Sequence, residues 1–251
     1  MDKGFVIVAQ NTDSVDYVKC AEVLKNSILK AMPDANVTIL DVLPYGDQAP
    51  DSDWKLINDW QVYDASPYEY TIKLEADMYI PNDISYWWDV LKDRDVVVST
   101  TIRNYKGEVS DVKVYRKFIE DNNLPDVYNA ITYFKKSDVA EQFYTTVRNI
   151  FENWDEYRQI FKCDPNEPAT TDWVYSIACH LVGVEQTTMP EFTQFSMVHM
   201  KKFIINTIGD NWTNELTYEF TDPLRVQTFP QCYPFHYHIK NFSYKLSKHY
   251  G

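Results

Sequence analysis

The chain of 251 residues is long enough for one substantial domain, carries a formal net charge of −13 and contains only 6 Gly. The acidic balance argues against broad nonspecific binding to nucleic acid or an anionic membrane. The scarcity of glycine, with no GxGxxG and no GxxxxGK[ST], excludes a glycine-rich phosphate loop. With 19 Tyr, 13 Phe and 7 Trp, aromatic side chains must supply much of the core, and some are expected to line a pocket. Cys20, Cys163, Cys179 and Cys232 lie far apart with no CxxC pair, unlike a zinc site or a disulfide framework. Met1-Asp2-Lys3-Gly4 leads into an apolar run too short for a signal peptide, and no stretch approaches a membrane span. The expectation is a cytoplasmic protein that does not engage a membrane.

In chain order, residues 4–9 (GFVIVA) form a short continuous apolar run, as a central strand covered on both faces requires. Asp13 or Ser14 can cap the helix that follows, in which Val15, Val18, Ala21, Leu24 and Ile28 recur at three- and four-residue steps up to Pro33. Residues 37–40 read as a second buried strand, so the chain opens with a βαβ unit. A loop over 44–53 and a short helix over 55–62 lead to residues 70–81. Trp87, Trp88 and Leu91 suggest another short helix, and residues 95–101 a β-rich run. Residues 102–126 contain a polar segment, RNYKGE, with no clear period. Residues 128–134 form a strand, followed by a helix capped near Ser137 with Val139, Phe143, Val147 and Phe151 on one face. Residues 162–169 break the chain, and a helix from about Thr171 ends at Gly183. The last 60 or so residues mix short strands with aromatic loops. The pattern is α/β in a single domain over 1–251, with residues 1–101 as one half and 102–251 as a less regular second half.

The stretch over 70–81, YTIKLEADMYIP, carries the most chemistry. Ile72, Leu74, Ala76, Met78 and Ile80 alternate strictly, which places Glu75 and Asp77 together on the opposite face of one strand. Carboxylates within a sheet are costly to desolvate unless they are paired or bind a cation; the plain alternative is an edge strand with a solvated polar face. A second constellation is Tyr233-Pro-Phe-His236-Tyr-His238-Ile-Lys240, where alternation puts both imidazoles and Lys240 on one side of an extended segment. His199 is a third imidazole, and Asp172 opens a helix in the sequence PATTDW, where a carboxylate can be a simple cap.

The order of these features resembles a GT-A-type nucleotide-sugar glycosyltransferase: a buried strand ending in Val8-Ala9-Gln10-Asn11, a helix, a second strand, then an acid-x-acid motif at Glu75-Ala76-Asp77. The resemblance implies a mixed central sheet flanked by helices and a UDP-sugar donor. It also implies Mn²⁺ or Mg²⁺ held against the diphosphate by Asp77, with Glu75 in place of the usual first Asp. A histidine that closes the metal site, followed by a phosphate-binding lysine, is matched by His238-Ile239-Lys240, with His236 and then His199 as rivals. Asp172 corresponds to an acid that meets the acceptor or acts as general base. Ala9, Gln10 and Asn11 are placed to read the base. Arg103, Tyr105, Lys106, Asn129 and Thr132 are weaker candidates for sugar or acceptor contact.

The Tyr- and Asn-rich, glycine-poor style looks like many tailed-phage proteins, some of which glycosylate hydroxymethylated DNA. The acceptor that follows is the hydroxymethyl group of 5-hydroxymethylcytosine in DNA, a partner that the net charge of −13 disfavours. The alternatives are a GT-A scaffold that binds nucleotide without turnover and a transferase acting on a glycan or protein. A sugar-nucleotidyltransferase is rejected, because Gln10-Asn11-Thr12 lacks the glycine and arginine expected after its first strand.

Overall fold

A computed structural model describes residues 2–111, 116–161, 163, 167–201 and 215–250. Strand β1 (Lys3–Val8), helix α1 (Tyr17–Ala31) and strand β2 (Val37–Leu40) form the expected βαβ unit, with β1 parallel to β2. A 3₁₀ turn (Lys55–Gln61) runs into α2 (Val62–Ala65). Then come β3 (Tyr70–Glu75), β4 (Met78–Tyr79), α3 (Trp87–Leu91), β5 (Val96–Ser99), β6 (Thr101–Arg103) and α4 (Lys117–Asp121). The second half carries β7 (Tyr128–Lys135), α5 (Asp138–Glu152), α6 (Trp154–Ile160), α7 (Thr171–Val182), α8 (Val184–Thr187) and β8 (Ser196–His199). It closes with β9 (Tyr218–Glu219), β10 (Arg225–Val226), β11 (Phe229–Pro230), β12 (Phe235–His236) and α9 (Phe242–Tyr250). Of the expected break at 162–169, residues 162 and 164–166 lie outside the described residues. Among the described residues no helix is long and apolar enough to cross a membrane.

The central sheet has the order β2-β1-β3-β7-β5, parallel on the β2, β1, β3 side and antiparallel where β7 meets β3 and β5. It is the mixed sheet flanked by helices that the sequence led us to expect. Successive residues of each strand feed opposite cores. Phe5, Ile7, Ile72 and Leu74 pack with α1 on one face, while Val6, Val96 and Val98 pack with Phe143, Val147, Val174 and Ile177 of α5 and α7 on the other. Burying each such side chain contributes about 1.5–3 kcal/mol.

Helix α1 is capped by Asp16, whose carboxylate accepts from Lys19 N–H at 2.9 Å, and not by Asp13 or Ser14. Thr12 Oγ1 takes Val15 N–H, and the Asp13 N–H and Ser14 hydroxyl are drawn to Asp53, so residues 12–15 turn before the helix begins. Helix α5 starts at the expected cap, Ser137, which accepts from Ala140 N–H at 3.3 Å. Gly183 ends α7 with φ of +130°, a conformation open to glycine.

The single strand expected over 70–81 is instead two. Strand β3 ends at Glu75, Ala76 and Asp77 make a turn, and β4 joins a second sheet of order β4-β12-β8-β6. Strict alternation does not describe β3 either. It lies between β1 and β7 with both faces covered, so Thr71 and Lys73 are as buried as Ile72 and Leu74.

Candidate active site

The acid-x-acid motif occupies the turn where the chain leaves one sheet for the other. The backbone of that turn explains the convergence that strand alternation does not. Strand β12 is stitched between β4 and β8: His236 pairs with Met78 on one side and with His199 on the other, and Tyr237 N–H donates to Asp77 O at 3.1 Å. This pairing carries the His236 ring to the two carboxylates. Its Nε2 lies 3.1 Å from Asp77 Oδ1 and 3.2 Å from Glu75 Oε2. The Lys240 ammonium pairs with the other Asp77 oxygen and sits 5.0 Å over the Tyr17 ring.

Burial alone would push the Asp77 carboxyl up, but the charges of His236 and Lys240 outweigh it and hold the group well below the usual carboxylate range. Burial raises the Glu75 carboxyl, against the lowering pull of His236 and Lys73. The Lys240 ammonium is raised: desolvation opposes its charge, and Asp77 more than offsets that.

His238 is where the extended reading fails. Strand β12 stops at His236, and His238 takes φ of +53°, in the left-handed region. Its ring turns back onto the other two imidazoles, with Nε2 3.3 Å from His199 Nδ1 and the ring centre 3.8 Å from that of His236. Burial, and then the neighbouring imidazole, depress the pKa of both His199 and His238 well below the ordinary value, favouring neutral rings. The imidazole against the carboxylates is therefore His236, while His238 pairs with His199.

These groups line a cavity of about 340 Å³ at the C-terminal ends of β1 and β3. Open α/β sheets bind ligands at such strand ends. Gln10 reaches the cavity and accepts from Asn58 Nδ2 at 2.8 Å. Ala9 is wholly buried in the sheet, and the Asn11 side chain caps Val18 N–H at 2.9 Å; neither lines the cavity. Asp172 also lines the cavity. Arg116 Nη1 donates to its Oδ2 at 2.9 Å and Asn129 N–H to its Oδ1 at 3.1 Å. Burial works against its charge, but Arg116 and then Lys201 hold its carboxyl below the ordinary range.

Asn129 itself lines the cavity, and its Nδ2 is buried without a partner among the described residues. Arg103, by contrast, is committed to Ser196 Oγ, Gly107 O and Thr193 O and stacks on Tyr233, while Thr132 bonds back to Asn129 O. Arg103, Tyr105, Lys106 and Thr132 do not line the cavity.

The sequence did not expose the floor of the cavity. Lys73, fully buried, pairs with Asp59 at 2.8 Å and donates to Asn129 O at 3.1 Å, while the Tyr175 hydroxyl donates to Asp59. A lysine inside a run of β-forming residues was the available signal. Trp54, Trp173 and Tyr17 add aromatic surface to the walls. Two sets of donors are close enough to share a cation: Glu75, Asp77 and His236, and His199, His236 and His238, each with its ligand atoms within 4.8 Å of one another.

No protein-family model and no curated protein matches the chain. Among solved structures, mouse xyloside xylosyltransferase 1 superposes with a TM-score of 0.52 at 8% identity, covering 95% of this chain and 98% of that one. An active-site mutant of LgtC gives a TM-score of 0.48 at 12% identity, covering 93% and 86%. The galactosyltransferase LgtC bound to donor and acceptor sugar analogues gives 0.44 at 13% identity, covering 69% and 70%. The likeness to the mouse protein runs over nearly the whole of both chains, and the fold is that of a GT-A-type glycosyltransferase.

Proposed function

We propose that the protein is a metal-dependent glycosyltransferase that moves a sugar from a UDP-sugar to an acceptor hydroxyl. The observation that carries this reading is the convergence of Glu75, Asp77, His236 and Lys240 from two sheets on one cavity at the strand ends of this fold. The donor set of carboxylate oxygens and imidazole nitrogen suits a divalent cation. Glu75, Asp77 and His236 would hold the ion, and it would offset the charge that develops on a departing diphosphate.

The chain's own residues supply the remainder. Lys240, whose ammonium is drawn to Asp77, is placed to exchange that partner for a phosphate oxygen. Gln10 and Asn58 offer amide groups to a base, and Trp54 offers a ring face. In transfer, the acceptor oxygen bonds to the anomeric carbon, the bond from that carbon to the phosphate oxygen breaks, the electron pair leaves with UDP, and the acceptor's hydroxyl proton passes to the departing phosphate oxygen. Asp172, clamped by Arg116 and Asn129 and held ionised, is better suited to accepting a hydrogen bond from a sugar or acceptor hydroxyl than to removing its proton.

Calorimetric titration of UDP in the presence and absence of Mn²⁺ tests the reading. Binding is expected to require the ion and to be lost in Asp77→Ala; ion-independent binding, or binding unchanged in that variant, would overturn it. Hydroxymethylcytosine DNA is the first acceptor to assay, with a panel of UDP-sugars and nucleoside mass spectrometry as readout. A glycan or protein acceptor replaces it if no donor yields modified DNA. A scaffold that binds nucleotide without turnover would show metal-dependent UDP binding but no hydrolysis of any UDP-sugar when acceptor is withheld.

A further inference from the structure

We infer that the outward face of α9, with Tyr244, Lys245 and Lys248, docks the sugar-phosphate backbone of a nucleic-acid single strand and leads it to the cavity at Lys240. The inference rests on the sugar-transfer reading only for the use made of the strand; the docking surface itself stands on charge and geometry. The charge of the chain is segregated. All 37 acidic residues lie before Pro223, whereas residues 223–251 carry Arg225, Lys240, Lys245 and Lys248 with no Asp or Glu. The net charge of −13 therefore does not describe this end of the chain, and a local positive strip can hold a polyanion that the remaining surface repels. Arg225 pairs with Glu219 at 3.6 Å, and Lys240 with Asp77. Lys245 and Lys248 have no carboxylate partner among the described residues; the Lys245 ammonium lies 4.9 Å over the Phe220 ring. A helix dipole favours cations in a last turn, which accounts for Lys248 and His249 but not for Lys245 in the middle of α9. It also favours acids in a first turn, and α9 has none there.

Packing directs the strip. Phe242, Ser243, Leu246 and Tyr250 form the buried side of α9, so Tyr244, Lys245 and Lys248, spaced at three and four residues, share the side left in solvent. The helix runs alongside α1 in the same direction. At one end Tyr17 of α1 lies under Lys240, and at the other Asn26 Nδ2 donates to Tyr250 O at 2.7 Å and Lys30 sits 5.0 Å over the Tyr250 ring. Since Tyr17 and Lys240 both line the cavity, the strip begins at the cavity and leads away from it. Lys245 and Lys248 are about 4.5 Å apart along the helix axis, within reach of neighbouring phosphates of one strand. An anionic bilayer offers the same charge, but a helix that lies in a bilayer turns an apolar face outward. The apolar side chains of α9 are instead packed into the core around Tyr79, Leu224 and Phe235. The one large ring left outside is Tyr244, 61% exposed, a surface on which an unpaired base can stack. A base on such a strand is already free of a duplex and can enter a cavity.

The test is made on the whole chain without UDP-sugar or metal, so its failure is separate from a failure to bind UDP or to transfer sugar. Fluorescence anisotropy follows a short labelled oligothymidylate from about 25 to 200 mM salt, and sedimentation with phosphatidylserine–phosphatidylcholine vesicles is run beside it. The expected slope of log affinity against log salt is about −1.4 to −2.1, the value for two or three phosphates of a single strand. The double variant Lys245→Gln with Lys248→Gln should bring the slope to about −0.7 or shallower and cost at least about tenfold in affinity at low salt, with UDP binding unchanged. Tyr244→Ala should weaken binding about fivefold or more at every salt concentration and leave the slope as it is. Absence of oligonucleotide binding at low salt, binding to the vesicles alone, or an affinity and slope unchanged in the double variant would overturn the inference.

Discussion

Lys73 and Glu75 are two residues apart on β3 and belong to ionic clusters of opposite construction. Lys73 is closed in: Asp59 pairs with it, Asn129 O accepts from it, and Tyr175 donates to Asp59 from behind. Glu75 belongs to a set that is open, with three imidazoles, a lysine on Asp77 and a cavity in front. A buried pair that satisfies itself has no capacity left for a ligand. A cluster whose groups are only partly matched to one another is free to exchange those contacts for one. The contrast separates what holds the sheet together from what the sheet presents.

The largest effect should come from the closed cluster. Lys73→Met leaves Asp59 buried without its cation, and a loss of about 3–5 kcal/mol is expected in urea denaturation. The double variant Lys73→Met with Asp59→Leu should recover most of that loss. A single variant as stable as the parent would mean that the closed cluster contributes nothing to the fold.

Breaking the open cluster should do the reverse. Asp77→Asn leaves Lys240, one-third exposed, free to reach solvent, so stability should fall by less than it does in Lys73→Met. The same substitution should cost at least about tenfold in metal-dependent UDP binding. A large loss of stability with binding intact would erase the distinction between the two clusters.

A further ion pair, Arg116 with Asp172, also lines the cavity. The Asp172 carboxyl is lower in the folded chain than in the unfolded one, so its contribution is present above the unfolded value of about 4 and is lost as pH falls through the folded value. Asp172→Asn should lower stability in the neutral region by under about 1 kcal/mol and converge on the parent as pH falls below about 4, so that its acid limb is flatter. An acid limb identical to that of the parent would show the pair to be idle.

The legibility of the chain divides along similar lines. Periodic apolar residues predict β1, α1, β7 and α5 well, because those elements bury a face or both faces against neighbours, whereas β2, expected to be buried, is a half-buried strand at the edge of the sheet. The importance of Glu75 and Asp77 was visible from their residue types alone. Their geometry was not, since it depends on a sheet-to-sheet turn that no local pattern marks. The choice among the histidines was beyond the sequence for the same reason. The register of β12 against β4 and β8 decides which ring meets the acids, and the left-handed backbone at His238 breaks the alternation that linked it to His236. The cavity floor stayed hidden because Asp59 comes from a 3₁₀ turn and Tyr175 from α7, far from Lys73 in the chain.

The stitching of β12 between β4 and β8 also sets an order of events. Asp77 and His236 are 159 residues apart, so the donor set is among the most non-local contacts in the molecule. The five-stranded sheet is complete once β7 is in place, more than 90 residues before β12 emerges. A nascent or cleaved chain ending short of β12 can therefore form the central sheet and its Lys73–Asp59 floor while offering no imidazole to the carboxylates. On the proposed reading of the site, capture of a metal ion would report that the chain has been read through to its second sheet.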